Sequence, residues 1–377
     1  MNRREFLAAS TLLLPSLGWA QSNERRLLVL IELKGGNDGL NTVVPYADPA
    51  YVALRPRLAV ARDQVLQLDE RCGLHPALAL LMPLWQAKEL AVVQGVGYAQ
   101  PNLSHFRSIE IWDTASRSDQ YLGDGWLGRA LAERPAPASF AADGVVVGGN
   151  DMGPLAGTSA RTLALADPER FLRQAKLVNP AGVGRNAALK HILKVEADIA
   201  GAASHLGSSV RLRTEFPAGP FGNAVRVAAQ LAANPAGVAA IRLSLGGFDT
   251  HQNQPAIHAR LLGELATGIA ALRSALIETN RWDSTLVMTY AEFGRRPQEN
   301  GSMGTDHGTA APHFVLGGRV RGGLYGDAPR LDALEGGNLR YAVDFRSVYA
   351  TALRDWWGMD ATRALNARFD PLPLVRV

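Results

Sequence analysis

Residues Leu27-Leu-Val-Leu-Ile-Glu-Leu33 form an almost unbroken apolar run that stops at the glycine-rich polar turn Lys34-Gly-Gly-Asn-Asp-Gly39. A strand apolar on both faces must be covered on both sides, which is the habit of parallel sheets clad by helices. The same rhythm returns along the chain. A helix is expected over Pro76–Lys88, then a short strand Leu90–Val93, a helix within Asn102–Ala115 and a strand Val145–Val147. The segment Asp167–Ala203 reads as helical, and Val238–Leu245 and Thr285–Tyr290 read as strands. Between those two strands, Ile257, Leu261, Leu265, Ile269, Leu272 and Leu276 recur on one helical stripe. Strands alternating with helices predict a doubly wound α/β fold with a mostly parallel central sheet. One domain over residues 21–377 is expected, with a helical insertion near 155–235.

Met1–Ala20 stands apart from that fold. It has a basic start, an apolar middle and a small-residue cut site after about Ala20, the layout of a secretory signal. Arg3 and Arg4 followed by Phe6 and Leu7 match the twin-arginine export pattern. The expectation is a protein exported folded to the periplasm, with no membrane anchor in its mature form. The chain of 377 residues carries 39 Lys and Arg against 35 Asp and Glu, and the basic residues are scattered, which gives no footing for a nucleic acid. A single cysteine, Cys72, excludes any intramolecular disulfide, so stability must come from the core.

In open parallel sheets, ligands bind beyond the carboxyl ends of the strands. Four polar clusters fall at such ends: Gly35–Thr42 around Asp38, Gly97–Arg107 around Ser104, Gly246–His251 with Asp249 and His251, and Ala291–Arg295 with Glu292. Asp306 and His307 follow a short loop later. In extended backbone Asp249 and His251 point the same way and can share one ion. With His307 and Asp306 they make a mixed nitrogen and oxygen set suited to zinc. Asp38, Glu292 and the Ser104 hydroxyl make a harder oxygen set suited to magnesium, manganese or calcium. Two such ions about 4 Å apart would clamp an in-line displacement. Ser104, at the start of a helix, is the candidate nucleophile, and Arg107 one turn on could grip a tetrahedral anion.

Each cluster also has a purely structural reading. The glycine-rich turn can be a tight strand exit, Ser104 a helix cap, and Asp306-His307 a turn with an exposed imidazole. His75, His191, His205 and His258 read as packing or surface residues, His313 as either core or a further imidazole, Trp356-Trp357 as core and Cys72 as inert.

Asn2-Arg-Arg-Glu-Phe-Leu7, Gly35-Gly-Asn-Asp-Gly39, Pro101-Asn-Leu-Ser-His-Phe106, Gly246-Gly-Phe-Asp-Thr-His251, Glu292-Phe-Gly-Arg295 and Thr305-Asp-His-Gly308 together resemble the bacterial family called domain of unknown function 1501. That family in turn resembles the alkaline phosphatase and sulfatase superfamily of metal-dependent phosphate and sulfate ester hydrolases. The resemblance implies Asp38 as the metal ligand after the first strand, Ser104 as nucleophile, Asp249 and His251 as ligands of the other metal, and His307 as the last histidine ligand. Two departures stand out. Glu292-Phe293 occupies the place of an Asp-His pair, and no Cys-x-Pro-Ser-x-Arg segment, the sulfatase signature, is present. The expectation is a hydrolase-like protein acting on a phosphate or sulfate ester of a small molecule or glycan, with one or two divalent ions. Its rivals are an exported binding or assembly protein that keeps the fold without turnover, and a metal-free serine esterase, which the missing Gly-x-Ser-x-Gly elbow disfavours.

Overall fold

The computed structural model describes residues 25–157, 159–166 and 210–376. The signal segment, most of the expected helical insertion, His191 and His205 lie outside the described residues. The expected first strand is β1 (Leu27–Lys34), whose residues from Leu27 to Leu33 are all buried. After it come β2 (Leu90–Gly97), β3 (Ala142–Val147), β4 (Thr162–Leu165), β5 (Val238–Gly246) and β6 (Thr285–Tyr290). A small hairpin of β7 (Arg295–Glu299) and β8 (Thr305–His307) leads into β9 (Ala311–Leu316), β10 (Gly323–Tyr325) and β11 (Val343–Asp344).

The main sheet has nine strands in the order β10-β2-β9-β6-β1-β5-β3-β4, with β11 also on β2. β1 is central and parallel to both neighbours, Ile31 lying opposite Leu243 on β5 and Thr289 on β6. Only β9 runs against the rest. The sheet is therefore mostly parallel, as the alternating pattern predicts. Strands β1, β2, β5 and β6 all present their carboxyl ends at one edge.

The two faces of β1 explain its continuous apolarity. Leu27, Val29, Ile31 and Leu33 pack with α3 (Pro220–Ala233) and α4 (Gln254–Glu278) on one side. Leu28 and Leu30 pack on the other with α1 (His105–Thr114), α2 (Trp126–Glu133) and α5 (Phe345–Ala350). Each such fully buried aliphatic side chain contributes about 1.5–3 kcal/mol. Trp356 and Trp357 are core, as expected, and their indole N–H groups donate to the carbonyls of Leu27 and Arg26, pinning the start of β1.

The helix expected over Pro76–Lys88 is instead a 3-10 segment, Pro76–Leu81, followed by a short α-helix, Met82–Gln86. Pro83 is the cause, because its ring clashes with the carbonyl four residues back and it has no N–H to donate to it. Among the described residues no helix is long and apolar enough to cross a membrane.

Candidate metal centre

At the carboxyl edge the chain must turn sharply after each strand. Gly35 and Gly36 do so after β1 with φ of 115° and 77°, a region that residues bearing a Cβ avoid. They also leave room for neighbours: a Cβ on Gly35 would lie 2.4 Å from the Asp249 nitrogen, and one on Gly36 would strike the Phe293 ring. The turns after β1 and β5 are thus in backbone contact, and the Phe293 ring brings the turn after β6 against them.

Arg295 then ties them. Its side chain is fully buried; its Nε donates to Gly36 O at 2.8 Å, Nη1 to Thr305 O at 3.0 Å, and Nη2 to Phe248 O at 3.2 Å and also to Gly35 O. The same Nη2 reaches Asp249 Oδ1 at 2.6 Å. Partial burial would push the Asp249 carboxyl up, but Arg295 and the nearby imidazoles of His105 and His251 bring it down to about 2. Asp249 is a carboxylate at any ordinary pH.

Around that oxygen three imidazoles converge. The Nε2 atoms of His251, His307 and His105 lie 3.0, 3.3 and 3.4 Å from Asp249 Oδ1, and those of His251 and His307 are 3.0 Å apart. Their opposite nitrogens have partners of their own. His307 Nδ1 is 2.8 Å from the Leu103 carbonyl, His105 Nδ1 is 2.8 Å from Glu292 Oε1, and His251 Nδ1 is 3.4 Å from Asp306 Oδ1. The Leu103 carbonyl and the Glu292 carboxylate only accept, so the Nδ1 atoms of His307 and His105 carry the proton and their Nε2 atoms present lone pairs, while His251 Nε2 also lies 3.4 Å from Arg295 Nη1. Burial also lowers the His307 pKa, which keeps that ring neutral. The lone pairs of His105 and His307 and the Asp249 oxygen repel one another, a repulsion that the Arg295 guanidinium relieves in part and that a bound cation would remove.

The spacing suits such an ion. Four ligands at zinc–nitrogen distances of about 2.0–2.1 Å stand at the corners of a tetrahedron with edges of about 3.3–3.4 Å. Four of the six edges, the three from Asp249 Oδ1 and the one between His251 and His307, run from 3.0 to 3.4 Å. His105, Asp249 and His307 alone place their ligand atoms within 4.8 Å of one another. Each histidine has a carboxylate or carbonyl behind it, the outer arrangement that orients metal-binding imidazoles.

Of the residues read from sequence, the fold brings Asp249, His251, Asp306 and His307 together, with Asp306 behind His251 rather than in the centre. His105 was not singled out by sequence reasoning; its signal was an imidazole next to Ser104 at a strand-end helix start. Glu292 is placed differently from the expected oxygen set. It is buried, and its Oε1 takes both the Gly35 N–H at 2.9 Å and His105, so it orients a ligand; its Oε2 has no hydrogen-bond partner.

Asp38 departs further. It is wholly buried, and its Oδ2 pairs with Arg55 at 2.6 Å and accepts from Gln254. Burial raises its pKa, but Arg55 and Gln254 outweigh this and hold it below the usual carboxylate value. A guanidinium thus occupies the place expected for a cation. Arg107 is also committed elsewhere: Nη2 donates to the carbonyls of Arg117, Ser118 and Gln120, Nη1 pairs with Glu110 at 2.9 Å, and the guanidinium lies 3.9 Å from the Tyr121 ring centre. It fastens the 117–121 loop instead of offering donors to an anion.

Ser104 is exposed at the N-cap position of α1, yet its side chain makes no capping hydrogen bond. It stands between Leu103, whose carbonyl holds His307, and His105. His313 is core, packed on Trp112, and burial takes its pKa down to about 3. His75 caps the 3-10 segment by accepting from Ala77 N at 3.1 Å. Cys72 is buried with its thiol pushed up to about 12, which leaves it inert.

The family model described as "Protein of unknown function (DUF1501)" matches residues 91–369. The chain belongs to this family. No curated protein matches it. Among solved structures it is similar to a phosphonate monoester hydrolase from Silicibacter pomeroyi, at 13% identity over 91% of this chain and 75% of that one, with a TM-score of 0.42. A sulfatase from Pseudoalteromonas sp. is similar at 11% identity over 99% and 75%, with a TM-score of 0.40. The zinc complex of the C-terminal periplasmic domain of EcEptC from Escherichia coli is similar at 12% identity over 78% and 72%, with a TM-score of 0.39.

Proposed function

We propose that this protein is a periplasmic hydrolase of phosphate or sulfate esters that works with one divalent cation held by His105, Asp249, His251 and His307, with Ser104 as its nucleophile. The observation that carries this reading is the convergence of the Nε2 atoms of His105, His251 and His307 on Asp249 Oδ1 at 3.0–3.4 Å. One ion, and not two, is favoured because Arg55 already neutralises Asp38. When bound, the cation would supply Lewis-acid stabilisation of the developing oxyanion charge.

The chain's own residues do the rest. Ser104 forms the new bond from its oxygen to phosphorus or sulfur and gives its proton to solvent, while the bond to the ester's alkoxide breaks on the opposite side and the alkoxide takes a proton from solvent. Water then attacks the serine ester, releasing phosphate or sulfate and restoring the hydroxyl. An unassisted serine is a weak nucleophile, but this hydroxyl has no capping bond to break, and it sits at the N-terminus of a ten-residue helix whose free N–H groups favour an anion. Glu292 and the Leu103 carbonyl keep two imidazoles turned inward. Residues 1–20 support export by the twin-arginine route.

Protein purified from the periplasm is assayed for metal content and against a panel of phosphate monoesters, phosphodiesters and sulfate esters. The expected result is one equivalent of ion and turnover that is lost both on chelation and in Ser104→Ala. Tight ion without turnover would convert the reading to a binding protein. Turnover that survives chelation would refute the metal.

A further inference from the structure

We propose that Gln254 is a positioning residue that locks the two ligand-bearing loops to each other, and that retention of the ion depends on it. The inference rests on the reading that the cluster holds a cation.

Gln254 opens α4 and is wholly buried. Its Oε1 accepts from the hydroxyl of Thr250 at 3.0 Å and from that of Thr305 at 2.7 Å. Thr250 sits between Asp249 and His251; Thr305 directly precedes Asp306 and His307. One carbonyl oxygen therefore uses both lone pairs to join the turn after β5 to the strand β8. The amide cannot turn over, because its Nε2 donates to Asp38, a carboxylate that can only accept. Asp38 is in turn held by Arg55, whose Nε donates to Pro297 O at 2.7 Å and whose Nη2 donates to Arg296 O at 2.9 Å on β7.

The backbones reinforce the same junction, with Thr305 N on Thr250 O at 3.2 Å and Gln254 N on Met303 O at 2.9 Å. Those main-chain bonds fix the approach of the loops. The side-chain bonds fix the rotation of the residues next to His251 and His307, whose Nε2 atoms must stay 3.0 Å apart. Asp38, expected from sequence to bind metal, thus acts on the ligands at one remove.

The test uses the purified chain, with zinc and cobalt(II) as probes. Gln254→Met keeps the length and removes every hydrogen bond; Thr305→Val and Thr250→Val each remove one donor with little change of shape. Zinc affinity is read by competition with a chromophoric chelator, cobalt geometry by its visible absorption, and the stability of metal-free protein by urea unfolding. Gln254→Met is expected to weaken zinc about 10–100-fold, the range for outer-shell partners, and to alter the cobalt spectrum. Each valine variant is expected to show a smaller loss, and Gln254→Met/Thr305→Val is expected to be no weaker than Gln254→Met. Should Gln254→Met fail to fold, the valine variants carry the test alone.

Zinc affinity within twofold of wild type in the folded variants overturns the proposal, as does a loss of metal-free stability with an unchanged cobalt spectrum. Failure of wild type to take up either metal instead refutes the cation reading itself, so the two failures are told apart.

Discussion

Two polar clusters lie side by side at the carboxyl edge of the sheet and are built on opposite principles. Around Asp38 the charge is answered inside the protein: Arg55 pairs with Oδ2 and Gln254 donates to it, although Oδ1 has no hydrogen-bond partner, and His258, fully buried, turns its Nε2 to Asn37 Oδ1 at 2.9 Å. Around Asp249 the carboxylate is about half exposed, paired with Arg295 on one side and faced by three imidazole Nε2 atoms on the other. The first network is sealed from solvent; the second is open on one side, where a cation could join it. Residue type alone does not separate them, since both hold an aspartate, an arginine and histidines.

The contrast is broken most directly by exchanging roles. Asp249→Asn or His307→Ala removes a ligand and is expected to cost about a hundredfold or more in zinc affinity, beyond the range of outer-shell changes, as measured by chelator competition; unchanged affinity would place the ion elsewhere. Arg55→Ala leaves a buried carboxylate without its partner and is expected to destabilise the fold by about 3–5 kcal/mol in urea unfolding. If a second equivalent of ion then rescued the variant, the closed cluster would prove to be a latent metal site.

Glu292→Gln keeps the shape behind His105 but weakens its anchor, with an expected fall of about tenfold in zinc affinity and little change in metal-free stability. Acid sharpens the contrast further. His258 titrates at about 4 and His313 at about 3 in the folded chain, both lowered by burial, against about 6.5 when unfolded. Below about 6.5 the unfolded state binds more protons, so stability falls as pH drops toward those values, by up to about 1.4 kcal/mol per pH unit for each group. Above that range neither group contributes a slope. Urea midpoints at pH 7.5 and 5 in wild type and His313→Leu check this, the variant being expected to show the shallower decline. The smallest expected effect is that of Ser104→Ala on folding, within about 0.5 kcal/mol, because its hydroxyl caps nothing; a larger loss would return Ser104 to a structural role.

How much of this was legible depended on where each residue's partner lay. The runs Leu27–Lys34 and Thr285–Tyr290 announce themselves because burial on both faces leaves them largely apolar, and the stripe from Ile257 to Leu276 marks α4 through its 3.6-residue period. Asp249, His251 and His307 were visible as chemistry at strand ends. The fate of Asp38 was not, because Arg55 reaches it from a turn 17 residues away that carries no motif. Arg107 misled for a related reason: three carbonyls of a later loop claim its guanidinium, and carbonyls leave no trace in sequence. His105 was overlooked beside the more suggestive serine.

Arg295 has a consequence for how the molecule comes into being. Its donors reach Gly35, 260 residues earlier, and Thr305, ten residues later. A growing chain therefore has no pocket until β8, about four-fifths along the sequence, has emerged to meet β1.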